Sequence, residues 1–227
     1  PQTNKNTWLD PVNDEEYATA TSQKSKQSAQ AAQNQAVWYA TYNDKLTETD
    51  PELAEIFGNF AFGDVQQYGK LSTRNRILVT MASAIATNSV TEYRKTLYAA
   101  FSNGITPVEI KEVLYHAVPY AGMSRIEDLL EIANSFFTEK GIELPLASQS
   151  VVTSETRMEK GLALQKSIFG NQIDKMYETS PANQLHIQQY LSANCFGDYQ
   201  TRPVFDAQTR ELLTFAILIS LGGCEPQ

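Results

Sequence analysis

The stretch Ser72-Thr73-Arg74-Asn75-Arg76-Ile77-Leu78-Val79-Thr80-Met81-Ala82-Ser83-Ala84-Ile85-Ala86-Thr87 decides how the rest of this chain is read. Ile77, Leu78, Met81, Ala82 and Ile85 are spaced as one wide face of a helix, and such a face needs burial. Ser72 stands where a helix cap belongs. Parts of the stretch return later. Arg76, Leu78, Thr80 and Ala82 recur as Arg210, Leu212, Thr214 and Ala216, and Phe62-Gly63-Asp64 recurs as Phe196-Gly197-Asp198. Every pair is separated by the same 134 residues. One offset shared by two separate motifs indicates a duplicated helical unit.

The flanking sequence supplies further helices. Asp50-Pro51-Glu52 is a start signal, and the helix it opens carries Leu53, Ile56, Phe57 and Phe60 on one side. A helix from about Thr91 should stop at Asn103-Gly104. Thr106-Pro107-Val108-Glu109 is a capping box, and Ile110, Val113, Leu114, Ala117 and Val118 come after it at helical period. Gly122 breaks that helix, and another is predicted over 126–137. Helices are predicted over 155–168 and 181–194, and Asp206 caps the one that carries Arg210. No stretch alternates as a strand does, so the predicted fold is all-α, a duplicated unit of antiparallel helices. Residues 1–28 are a polar arm, read as disordered; 29–140 form the first unit, 141–153 a linker and 154–227 the second. The first unit continues for roughly 55 residues beyond its Arg-led helix, so the second, stopping at Gln227, reads as truncated. A second unit of equal length would run on for roughly 45 residues.

Composition narrows the function. The 227 residues are 42% hydrophobic and 19% charged, as in an ordinary soluble domain. A net charge of -8 opposes nucleic-acid binding, which needs clustered Lys and Arg. No apolar run reaches the ~18 residues that span a bilayer. Cys195 and Cys224 are too few for a disulfide scaffold, so a cytoplasmic protein is expected. With only His116 and His186, no histidine-rich metal site is expected, and no glycine-rich phosphate loop or Gly-x-Ser-x-Gly occurs. The expected partner is a small molecule handled without a cofactor.

Three segments carry a resemblance: Leu71–Val79; Ala99-Ala100-Phe101-Ser102-Asn103-Gly104-Ile105-Thr106-Pro107-Val108-Glu109-Ile110; and Glu112-Val113-Leu114-Tyr115-His116-Ala117-Val118-Pro119-Tyr120-Ala121-Gly122-Met123. The second unit echoes the first of them as Phe205–Leu213 and ends Leu221-Gly222-Gly223-Cys224-Glu225-Pro226-Gln227. Together they resemble the two-unit members of the carboxymuconolactone decarboxylase superfamily, which also holds the alkyl hydroperoxidase D proteins. That resemblance implies an all-helical fold and homo-oligomers, usually trimers or hexamers. In the peroxidase branch a Glu on the Arg-led helix precedes Cys-x-x-Cys-x-x-x-His. Glu211 and Cys224 match its Glu and first Cys, and Gln227 stands at the second Cys. The corresponding His would fall about four residues further on, beyond Gln227, by the motif's spacing. The first unit has Ser89-Val90-Thr91-Glu92 there, with Thr96 near the His position.

Each candidate residue has two readings. His116 shares a helix face with Glu112 and Tyr120, four residues to either side. That face reads as acid–base machinery, with Tyr120 toward substrate, or as a buried, hydrogen-bonded interface. Glu92 reads as a pocket acid or as a helix-dipole partner. Arg76 and Arg210 read as substrate-carboxylate clamps or as helix ties through Asp64 and Asp198. Cys224 reads as a thiol nucleophile with Glu211 as proton partner, or as a small packed residue. The aromatics Phe57, Phe60, Phe62 and Tyr68 are expected in the core or at subunit interfaces. These residues are compatible with three functions: cofactor-free acid–base chemistry on a small carboxylated lactone or related acid; thiol-dependent peroxidase activity through Cys224; or a non-catalytic oligomeric scaffold.

Overall fold

Short side chains that accept from otherwise unpaired amides fix where the main helices begin. In the computed structural model, which describes residues 29–39, 42, 45–68 and 70–224, Ser72 Oγ accepts from Asn75 N at 3.2 Å and Asp206 Oδ1 from Thr209 N at 2.7 Å. Thr106 and Glu109 form the predicted capping box, Thr106 N donating to Glu109 Oε2 at 2.8 Å. The described residues are helical, with no strand among them. The order is α1 (29–39), α2 (Leu46–Thr49), α3 (Pro51–Gly58), a π-helical stretch π1 (Asn59–Asp64), α4 (Val65–Gln67), α5 (Thr73–Ala86), α6 (Val90–Ser102), α7 (Pro107–Ala121), α8 (Met123–Glu139), α9 (Arg157–Phe169), α10 (Gln172–Thr179), α11 (Leu185–Tyr190), π2 (Leu191–Gln200) and α12 (Ala207–Leu221). The polar arm expected over 1–28 lies outside the described residues.

Packing divides the chain at Lys70/Leu71. The 141–153 stretch, where the sequence places its linker, is non-helical and lies inside the second packed unit. The sequence division marks where motifs recur; the packing division marks which helices share a core.

In the unit ending at Lys70, the rings of Trp38 and Tyr39 on α1 meet Phe62 edge-on, at 5.5 and 5.7 Å. Asn34 Nδ2 donates to the Phe62 carbonyl at 2.7 Å. Asp50 does not cap α3 as its position suggests, because its carboxylate accepts the neighbouring Thr49 hydroxyl instead. Leu53, Ile56, Phe57 and Phe60 are exposed within their unit, as is Tyr68, whereas Phe62 is core.

The unit from Leu71 onward is built around α5. Ile77, Leu78, Met81, Ala82 and Ile85 are all buried there, with α6, α7, α8 and α12 packed against this helix. Gly104 and Gly122 end α6 and α7 with φ of +73° and +83°, a region open to glycine. The helix expected over 181–194 is divided. Ser180, preceding Pro181, is extended (ψ 130°), α11 begins only at Leu185, and its turns widen into π2. A further helix, α10, precedes it. Both Phe-Gly-Asp copies lie in π-helical turns, Phe62–Asp64 in π1 and Phe196–Asp198 in π2. Burial differs between α5 and α12, the helices that carry the recurring Arg motif: Met81 and Ile85 are inaccessible, while Phe215 and Ile219, 134 residues later, are 65% and 67% exposed.

The tightest crossing is between α9 and π2. Gly161 faces the backbone of Ser192 and Gly197, and Gly197 faces the carbonyl of Arg157, too close for a Cβ on either glycine. Arg157 and Asp198 pair beside this crossing, so the recurring Asp198 ties to α9 and not to Arg210. Gly197→Ala forces two backbones apart and is expected to destabilise the protein by about 2–3 kcal/mol, read as a lower midpoint in urea unfolding. An unchanged midpoint contradicts the backbone contact.

Candidate functional site

The period of α7 places Glu112, His116 and Tyr120 along one stripe, and that stripe faces α12, π2 and the loop between them. Glu112 is 1% exposed and carries the anion of this region. Its Oε1 accepts from Arg210 Nη2 at 2.9 Å, and both its oxygens accept from Arg202 Nε at 3.1 and 2.9 Å. Arg210 also donates to the Arg202 carbonyl, which fixes the loop before α12. A buried carboxylate needs such partners, since unpaired charge in a dry interior is costly.

His116 is fully buried. Arg210 Nη1, which can only donate, lies 3.3 Å from His116 Nδ1, so the ring proton sits on Nε2, 3.0 Å from Thr214 Oγ1. Burial first, and the neighbouring Arg210 charge second, lower the His116 pKa to about 3, and the ring is neutral at ordinary pH. Thr214 takes the Nε2 proton as a hydrogen bond and passes its own toward the Tyr120 oxygen at 3.3 Å. Gln200 Nε2 donates to the same oxygen at 2.8 Å. With both lone pairs of the phenol oxygen engaged by Thr214 and Gln200, the Tyr120 proton is left for a group in the cleft, whose lining includes the Cys195 sulfur. Burial raises the Tyr120 pKa, so that proton is retained.

Tyr120 opens onto a cleft of about 700 Å³ between α9, α10, π2 and α12. Its walls are apolar, from Phe169, Ile173, Met176, Leu218 and Leu221. Its polar groups are Tyr120, Gln165, Gln172, Cys195, Gln200, Glu211, Thr214 and Cys224. Glu211 stands at the mouth, exposed on one side, and partial burial raises its carboxyl pKa. Cys195 Sγ lies 3.9 Å from the Tyr120 oxygen, and burial pushes its thiol pKa up. Cys224 Sγ donates to the Gly222 carbonyl at 3.4 Å. A few polar groups converging on an apolar cavity are what a small-molecule site requires.

Of the residues singled out in the sequence, Tyr120, Glu211 and Cys224 line this cleft. His116 and Arg210 lie behind it, acting through Thr214 and Glu112. Glu92 at the start of α6 does not line it, nor does Arg76, whose Nε donates to the Leu71 carbonyl at 3.0 Å. Sequence reasoning assigned no site role to Gln200, Thr214, Arg202 or Cys195. Thr214 had one signal, its recurrence with Thr80. Thr80 bonds back to its own helix at Arg76 O, however, while Thr214 bonds across to Tyr120. Among the described residues no helix is long and apolar enough to cross a membrane, and no group of three His, Cys, Asp or Glu is placed to hold a metal ion.

The sequence profile of the carboxymuconolactone decarboxylase family matches residues 51–135, which include Glu112, His116 and Tyr120. The 4-carboxymuconolactone decarboxylase of Acinetobacter baylyi is 31% identical over 99 residues, 44% of this chain and 74% of that protein.

The buried neutral His116 makes stability depend on pH. An unfolded histidine takes its proton near pH 6.5, and the folded one only near about pH 3. Between these values acid favours the unfolded chain, by at most about 1.4 kcal/mol per pH unit. His116→Gln lacks that slope. The stability gap between wild type and variant, from urea unfolding, is expected to shrink by about 1–2 kcal/mol from pH 7 to pH 5. A gap that does not change with pH contradicts a neutral His116.

Proposed function

Because the chain belongs to the carboxymuconolactone decarboxylase family, we propose that its cleft decarboxylates a small carboxylated lactone or related acid by acid–base chemistry alone. The observation that carries this reading is the Tyr120 hydroxyl, turned into the cleft by Gln200 and the His116–Thr214 relay, with Glu211 at the same opening. When the bond to the carboxylate carbon breaks, carbon dioxide leaves and the electron pair moves into the conjugated lactone carbonyl. Tyr120 donates a hydrogen bond to that oxygen as its charge grows. The carbon then takes a proton from the Glu211 carboxyl, which recovers one from water. A raised pKa suits Glu211 to that step, because it holds a proton nearer neutrality than an ordinary glutamate. His116 is a positioning residue: it touches Thr214 and not the cleft.

A thiol peroxidase is the second reading, favoured by Cys195 and Cys224 lining one cleft. Against it, burial disfavours the Cys195 thiolate. We also read the chain as a homo-oligomer, supported by the exposed Phe215 and Ile219 on α12. Sedimentation of only a 25.3 kDa monomer would contradict that.

The deciding experiment measures carbon dioxide release from 4-carboxymuconolactone. Tyr120→Phe should lower kcat/KM by about 100-fold or more, and Glu211→Gln should remove the fall in rate as pH rises. Cys224→Ser should keep its rate. No release by the wild type, or full activity in Tyr120→Phe, refutes the decarboxylase reading. Hydroperoxide turnover abolished in Cys224→Ser would establish the thiol reading, and turnover of neither substrate would leave the scaffold.

A further inference from the structure

A second cavity, of about 460 Å³, lies in the unit from Leu71 onward, walled on one side by α7 and on the other by the non-helical segment 144–149. Lys111, Tyr115 and Arg202 all line it, and Tyr120, Glu211 and the cysteines do not. Arg202 is held firmly from behind. Its Nε donates to both oxygens of the buried Glu112, and its guanidinium lies 5.0 Å from the centre of the Tyr115 ring. Its two terminal amino groups make no hydrogen bond or ion pair among the described residues, although the side chain is only 13% exposed. Lys111 is one helical turn before Tyr115, on the same stripe of α7, and also has no ion-pair partner among the described residues.

The charges around this cavity do not balance. Arg202 and Arg210 share a single carboxylate, that of Glu112, and His116 is neutral. Arg210 Nε is itself buried without a partner. The cluster thus keeps one positive charge from the arginine pair, and Lys111 adds another. A chain of net charge -8 has concentrated unpaired cations in one pocket.

From this arrangement we propose that the cavity bounded by Lys111, Tyr115 and Arg202 is a binding site for a small dicarboxylate, separate from the cleft around Tyr120. A planar carboxylate meets the two free amino groups of a fixed guanidinium side by side, and the Glu112 bonds and the nearby Tyr115 ring hold that group in place. The Lys111 ammonium takes the second carboxylate. The cavity volume fits a ligand of this size.

The test uses isothermal titration of the full chain at low ionic strength, with succinate and inorganic phosphate as probes. Succinate is expected to bind, and Lys111→Gln to weaken it about tenfold without changing the thermal midpoint. Arg202→Lys, which keeps the charge but loses the fork, is expected to weaken it similarly. Glu211→Gln, altered only in the other cleft, should bind succinate as the wild type does. No succinate binding up to about 10 mM overturns the proposal. Binding unaffected by Lys111→Gln, or lost in Glu211→Gln, also overturns it by placing the ligand elsewhere. Phosphate binding more tightly than succinate at the Lys111-dependent site overturns the choice of a dicarboxylate.

Discussion

One buried carboxylate holds the working end of this protein together. Glu112 draws Arg210 from α12 and Arg202 from the preceding loop onto α7, across about ninety residues of sequence. Its environment makes the pairing necessary, because an ionised carboxylate at that depth without a partner is strongly destabilising. Everything that reaches the cleft depends on it. Arg210, once fixed, dictates which nitrogen of His116 carries the proton. That nitrogen orients Thr214, and Thr214, with Gln200, orients Tyr120. The network is therefore directional, built of groups that can only donate at one end and a phenol at the cleft, beside the Cys195 sulfur, at the other.

The two sides of α7 divide the labour. The stripe of Ile110, Val113, Leu114 and Ala117 is apolar and buried, while Glu112, His116 and Tyr120 run along a polar stripe that is also largely buried. Burying both costs more than an ordinary amphipathic helix, which leaves its polar side in water. The polar stripe is tolerable because its buried members meet donors or acceptors from α12, π2 or the loop.

How much of this was legible in the sequence depended on distance along the chain. Ser72, Asp206 and the Thr106–Glu109 box were readable because a cap is a contact three residues long. Asp50 misled for an equally local reason, the hydroxyl of Thr49 beside it. The alignment of Glu112, His116 and Tyr120 was also visible, being a matter of helical period. Their partners were not, since nothing in the composition of Arg202, Gln200 or Thr214 says that they meet α7. Helix α10 was overlooked although Ile173, Met176 and Tyr177 carry a helical spacing, because eight residues give a weak periodic signal. The recurrence was legible as motif alone, and both Phe-Gly-Asp stretches lie in widened helical turns. It was silent on environment: one offset joins a buried Met81 to an exposed Phe215.

The crossing of Gly161 and Gly197 separates two kinds of information. There the scaffold is defined by main chain touching main chain, with no side chain between to be resized. Phe169, Ile173 and Met176, which give the neighbouring cleft its shape, take no part in that contact. Frame and lining are thus written in different residues, so the outline of the cavity is free to be recut while the crossing of bare backbone beside it stays as it is.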